Sequence, residues 1–147
     1  MTTQTYPFEL PPLPYPTAAL EPHFDARTMS IHHDEHHRVY VERLNAALRD
    51  HPELHGRTIE HLLRNLNSIP PDIRTAVRNN GGGHLNHALF WSLVGPPGKT
   101  VPTGALLDAL TDSFGSLEAF RSKFGEVATR HFASGWVFLV ADARKNA

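Results

Sequence analysis

Residues 29–48 read Met-Ser-Ile-His-His-Asp-Glu-His-His-Arg-Val-Tyr-Val-Glu-Arg-Leu-Asn-Ala-Ala-Leu. Wound as an α-helix at ~100° per residue, the stretch brings His32, His36 and Tyr40 within an arc of roughly 80°, beside Met29 and Ala47. Imidazoles therefore stand where a core helix carries leucines. Burying them costs free energy unless each finds a hydrogen-bond partner or a metal, so the pattern asks for a second set of ligands elsewhere. Residues 84–91, His-Leu-Asn-His-Ala-Leu-Phe-Trp, supply such a set, with His84, His87, Ala88 and Trp91 on one side of a helix.

The totals restrict the chemistry further. A chain of 147 residues with 40% hydrophobic and 20% charged residues has the makeup of a folded globular protein, one domain or two small ones sharing a core. A formal charge of −1, without a basic block, gives no reason to expect nucleic acid. Eleven histidines are the outlier, and the absence of cysteine excludes disulfides, thiolate zinc sites and cysteine nucleophiles. A bound metal must accept nitrogen and oxygen ligands, which leaves manganese, iron and zinc open. The N-terminus lacks a charged start and an apolar run, and no stretch approaches the ~20 apolar residues of a membrane span, so a cytoplasmic protein without membrane contact is expected.

Five prolines between residues 6 and 16 predict an extended arm lying on the body through Phe8, Leu10, Leu13 and Tyr15. His23, in the turn that follows, reads as a partly exposed surface histidine. The first long helix is predicted to start at cap candidates in 25–28 and to stop near His51 because Pro52 follows, about 20 residues in all. Thr58 is placed as the cap of a shorter helix with Ile59, Leu62, Leu63 and Leu66 at helical spacing. Pro70-Pro71 open another helical turn, which Asn79-Asn80-Gly81-Gly82-Gly83 is expected to close. Three successive glycines there mean that the backbone bends freely or approaches something closely. The next helix is predicted from about Gly83 to Val94, and Gly95-Pro96-Pro97-Gly98 reads as a boundary between two halves. Beyond it, Thr103 is expected to cap a helix with Leu106, Leu107 and Leu110. Ser116 caps another, with Leu117, Phe120, Phe124 and Val127 facing inward. Gly135–Ala141 reads as a buried β-strand, the only one, and a single strand makes no sheet.

Within the first run, His32, Glu35 and His36 match His-x-x-Glu-His, the inverted zinc-protease motif. His33 and His37 sit toward the edge of the arc and read as polar residues on a solvated face. His84 and His87 are close enough to share one ion, or one binds while the other supports it.

Four strings carry a resemblance: Leu-Glu-Pro-His-Phe-Asp-Ala-Arg-Thr-Met (20–29), Ile-His-His-Asp-Glu-His-His (31–37), Arg-Asn-Asn-Gly-Gly-Gly-His-Leu-Asn-His-Ala-Leu-Phe-Trp (78–91) and Phe-Ala-Ser-Gly-Trp (132–136). They resemble the manganese/iron superoxide dismutase family, in register from about Phe8 to Val140. The resemblance implies a mostly α fold. Residues 1–95 would form a long N-terminal helical hairpin, and 98–147 the first helices and first strand of an α+β C-terminal domain that is incomplete here. It implies His32 and His87 as metal ligands, His36 and Tyr40 as the gateway pair lining a substrate funnel, and Trp136 as a wall of the metal pocket. Trp91 matches a further aromatic near the site, and Gly83 stands where manganese-type members carry glycine, so manganese is expected, with iron as the alternative. The inverted-protease reading then falls away, because Glu35 would lie off the metal-facing side.

The same resemblance implies a redox-cycling ion that turns superoxide into oxygen and hydrogen peroxide, in a homodimer. The family's Asp-x-Trp-Glu-His motif, which supplies an aspartate and a histidine ligand, does not occur in these 147 residues; neither do its solvent-bonding glutamine and dimer-bridging glutamate. Ala133 replaces a family glycine and Phe138 a tryptophan. Two expectations therefore stand side by side: a superoxide dismutase, or a catalytically inactive, truncated remnant that lacks the C-terminal Asp and His ligands.

Overall fold

In the computed structural model, residues 4–96, 98 and 101–142 are described, and the chain divides into two compact units, Met1–Lys99 and Thr100–Ala147. The first unit is built on two helical rods. One begins at α1 (Ala26–Ser30), passes without a break through a π-helical stretch (Ile31–His37) and ends as α2 (Arg38–Leu48). Asp25 caps it, accepting from the Thr28 backbone N–H at 2.9 Å. After a 3₁₀ turn at Pro52–Leu54, Thr58 caps α3 (Ile59–Arg64) by accepting from the His61 backbone N–H.

The second rod departs from the sequence reading. Helix α4 (Pro71–Ala76) runs through a π-helical stretch (Val77–Gly81) into α5 (Gly82–Leu93), so the Asn-Asn-Gly-Gly-Gly run does not close a helix but lies inside one. Close approach explains it. A methyl group at Gly81 would stand 2.8 Å from Ile59 Cδ1, and one at Gly83 would overlap the ring of Tyr40, so the glycines let the rods come together. That gain in packing outweighs their poor helix propensity of ~1 kcal/mol each.

The rods run antiparallel. Leu44 meets Gly81, Tyr40 meets Gly83, His37 meets His84, and His32 meets both His87 and Trp91. Below this seam lies a core of Val41, Leu44, Leu48, Leu54, Ile59, Leu62, Ile69 and Val77, completed by Phe8 from the proline-rich arm. The arm is held where expected. Asn45 clamps it from both sides, its Oδ1 accepting from the Phe8 N–H at 2.9 Å and its Nδ2 donating to the Phe8 carbonyl at 2.8 Å. At the other end Leu20, Met29 and Trp91 form a second cluster, with Leu13 and Tyr15 against it. His23 is exposed.

The second unit pairs α6 (Gly104–Phe114) with α7 (Leu117–Arg130) across Gly115, whose φ of 88° suits glycine. Ser116 caps α7 as predicted, accepting from the Ala119 N–H, whereas Thr103 makes no side-chain cap bond. Leu110 is buried, and Phe114, Phe120 and Phe124 form a ladder with centroids 5.2 and 5.7 Å apart. Two expectations fail here. Phe124 and Val127 are 37% and 46% exposed, because the described residues do not cover their face of α7. Gly135–Ala141 runs without regular pairing: a strand exists through its partner's hydrogen bonds, and among the described residues none is offered. The mostly α class stands.

Candidate metal centre

The buried face of the first rod decides where the histidines point. At ~100° per residue His33, His37, Val41, Leu44 and Leu48 share one arc of roughly 80°, and that arc is the one buried in the first unit. His33 and His37, expected on a solvated face, are instead 6% and 0% exposed, while His36 is exposed and His32 half-buried. Two columns four residues apart result: His32 beside His36, with centroids 5.3 Å apart, and His33 beside His37 at 6.0 Å.

The antiparallel register carries both columns to α5. His87 Nε2 lies 3.1 Å from His32 Nε2, and His84 Nδ1 lies 2.9 Å from His37 Nε2. His84 and His87 thus serve different partners. Because a neutral imidazole has one donor and one acceptor nitrogen, the bonds fix the tautomers. Trp91 Nε1–H donates to His37 Nδ1 at 3.1 Å, so His37 carries its proton on Nε2 and donates to His84. His87 donates from Nδ1 to the Gly83 carbonyl at 2.7 Å, which leaves its Nε2 lone pair facing His32. A histidine so anchored is prepared as a metal ligand.

Two ligand nitrogens at ~2.1 Å from one ion stand about 3.0 Å apart at right angles and about 3.4 Å apart at the tetrahedral angle. The observed 3.1 Å falls between. His36 brings a third imidazole, and one ligand atom from each of His32, His36 and His87 lies within 4.8 Å of the others. Tyr40 packs its ring against both His36 and His87, at 5.1 and 5.3 Å. His32 and His36 also line an open groove of about 410 Å³ with Thr28 and Ile31. Glu35 is exposed and outside this cluster.

Burial keeps these rings neutral. It pushes His32 down to about 4, aided by the charges His87, His36 and His33 would carry. His37 falls to about 3 through burial and then through His84, His87 and His33. Burial and His87 lower His84 to about 4 against an opposing pull from Glu60. Burial also lowers His87, although its bond to the Gly83 carbonyl works the other way. Burial thus favours the neutral imidazole at both His32 and His87.

The first unit thus unites His32, His36, Tyr40 and His87. Trp136 belongs to the second unit, where it is half-buried. Sequence reading missed the role of His37, which joins Trp91 to His84 beneath the cluster. The signal was present: His33 and His37 continue the helical spacing of Val41, Leu44 and Leu48, the apolar residues of the same face.

Comparison with known proteins identifies a family. The profile of the iron/manganese superoxide dismutase alpha-hairpin domain matches residues 7–95, and that of the same family's C-terminal domain matches residues 102–147. A manganese superoxide dismutase of Thermus thermophilus is 56% identical over 137 residues, covering 93% of this chain and 67% of the relative. One from Leptolyngbya boryana is 51% identical over 138 residues (94% of this chain, 58% of its own length), and one from Listeria monocytogenes is 51% identical over 138 residues (94% and 68%). The chain therefore spans between 58% and 68% of the length of these relatives. Among the described residues no helix is long and apolar enough to cross a membrane. On a matched hairpin, a matched C-terminal segment and about half of all residues shared with manganese enzymes, the chain belongs to the iron/manganese superoxide dismutase family.

Proposed function

We propose that the chain takes part in the dismutation of superoxide to oxygen and hydrogen peroxide, with manganese, or iron as the alternative, held by His32 and His87. The observation that carries this reading is the 3.1 Å approach of two Nε2 atoms from different helices, one of them fixed in its ligand tautomer by a backbone carbonyl. A redox-cycling ion held there would accept an electron from one superoxide and return it to the next. The protein's own contribution is orientation: Gly83 anchors His87, and the His37–His84–Trp91 chain supports the rings from below. His36, which lines the open groove, and Tyr40, whose ring packs against it, are read as the gateway pair admitting a small anion, and Trp136 is read as a wall of the pocket. Residues 1–95 are read as the hairpin domain and 98–147 as the start of the α/β domain. The working form is taken to be a cytoplasmic homodimer without nucleic-acid or membrane partners.

A second reading is favoured by one observation: among the described residues the imidazole cluster includes no carboxylate. A polypeptide of these 147 residues alone would then be an inactive relative that binds metal loosely, since a hard trivalent ion is best held with oxygen donors. Metal analysis together with superoxide removal tests both. Stoichiometric manganese or iron with activity abolished by His87→Ala supports the first reading; a metal-free, inactive product supports the second.

A further inference from the structure

The proline-rich arm is fastened to the first unit at spaced points, not along its length. Tyr6 stacks on His55 with centroids 3.8 Å apart and donates its N–H to the His55 carbonyl at 3.2 Å. Phe8 is gripped by Asn45, and His33 Nε2 donates to the Pro11 carbonyl at 2.8 Å. Among the described residues, the bond from Tyr6 to His55 is the single backbone–backbone bond joining residues 6–15 to the rest of the unit, and Phe8 is the single fully buried side chain of that segment. An open groove of about 520 Å³ runs between Phe8, Leu10 and Pro12 on the arm and His33, Arg38 and Glu42 on the rod. A segment with so few buried contacts and backbone bonds opens at a lower free energy than the packed rods. Prolines at 7, 11, 12 and 14 keep it extended when it lifts, so that reseating costs little chain entropy.

Two of the fastenings end on histidines. The Phe8 ring lies 6.0 Å from that of His84, the partner of His37, and the His33 ring held by Pro11 stands edge-on to Trp91 at 5.8 Å. We infer that the arm is a strap that lifts and reseats as one unit, and that its seating sets the ring positions of His33 and His84. A change at the hairpin tip, where Tyr6 meets His55, is thereby felt in the histidine layer at the other end of the rod. The device works with or without a bound metal and is independent of the ligand reading.

Amide hydrogen exchange and imidazole resonances of the metal-free chain, both followed by NMR, test this. In the wild type the Tyr6 amide should exchange at least about tenfold faster than those of Val77 and Trp91 on the second rod. Asn45→Ala removes both bonds to Phe8 and touches neither Tyr6 nor His55. It should still speed the Tyr6 amide at least about fivefold, leave Val77 and Trp91 unchanged, and shift the ring signals of His33 and His84. Tyr6→Ala is the reciprocal variant: the Phe8 amide, its acceptor intact, should accelerate at least about threefold. Thr58→Ala, which removes the cap of α3 away from the arm, should leave the Tyr6 amide at its wild-type rate. If each variant speeds only the amide whose own contact it removes, the arm frays piecemeal and is no strap. If the Tyr6 and Val77 amides exchange at one rate and both respond to Thr58→Ala, the arm opens only with the whole unit, which also overturns the inference. Faster Tyr6 exchange with unmoved His33 and His84 signals would show that the strap does not reach the histidines.

Discussion

His37 offers the sharpest test of the buried chain beneath the site. It is fully buried, and its two ring nitrogens serve Trp91 Nε1–H at 3.1 Å and His84 Nδ1 at 2.9 Å. Replacing it with leucine fills most of the volume but leaves a buried indole N–H and a buried imidazole nitrogen unpaired. At about 1–3 kcal/mol each, the loss is roughly 2–4 kcal/mol after local relaxation, a large share of a typical folding free energy. Glutamine is the control. Its Oε1 and Nε2 have nearly the spacing of the two imidazole nitrogens, so it can accept from Trp91 and donate to His84, and its cost should stay near 1 kcal/mol. In urea unfolding of the metal-free chain, with an m-value near 2 kcal/mol/M, His37→Leu should lower the midpoint by about 1–2 M and His37→Gln by roughly 0.5 M. Leucine equal to or more stable than glutamine would mean that His37 acts by filling space and that the bonded chain contributes nothing.

Four further outcomes follow from the same coordinates. Gly83→Ala sets a methyl 2.6 and 2.8 Å from Tyr40 Cε1 and Cγ, where ~3.5 Å is ordinary contact; overpacking should outweigh the ~1 kcal/mol helix gain, leaving a net loss of about 1–2 kcal/mol and shifted Tyr40 ring resonances, and a stabilised variant contradicts this. Because His32, His37 and His84 are held at about 4, 3 and 4 against an ordinary 6.5, the unfolded chain binds protons that the folded one refuses. Stability of the metal-free chain is therefore complete above pH 6.5 and falls as pH drops toward 3 to 4, by up to about 1.4 kcal/mol per pH unit per imidazole; urea midpoints that agree at pH 7 and 5 refute it. Ala133 sits at φ 66°, so Ala133→Gly should raise thermal stability, by about 1 kcal/mol, with an unchanged melting temperature as the contrary result. Asn45→Ala removes both bonds to Phe8 and should speed proteolytic cutting of the arm at least severalfold, each bond being worth about 1 kcal/mol; equal cutting rates would show the prolines and Phe8 hold it alone.

Much of this molecule was legible in the order of its residues, and the reason is local. Prolines at 52 and 71, cap residues at 25, 58 and 116, and apolar spacing at 59, 62, 66 and 106–110 fix where helices begin and end through bonds and sterics within a few residues. The strings around His32 and His87 likewise disclosed the family. Three features needed the folded chain. The glycine run at 81–83 looks like a terminator until Ile59 and Tyr40 are seen against it, since propensity cannot weigh a contact with residues 22 and 43 positions away. His33 and His37 sit at the edge of the arc centred on His32 and His36, and only their contacts with Pro11, His84 and Trp91 on distant segments show that the arc they share with Val41 and Leu44 is the buried one. The segment at 135–141 has a strand's composition but needs a partner to become one. Sequence alone determined which side chains are available and where helices break. Tertiary structure alone decided which imidazoles meet, because helix register and interhelix distance are set by the packing of distant residues.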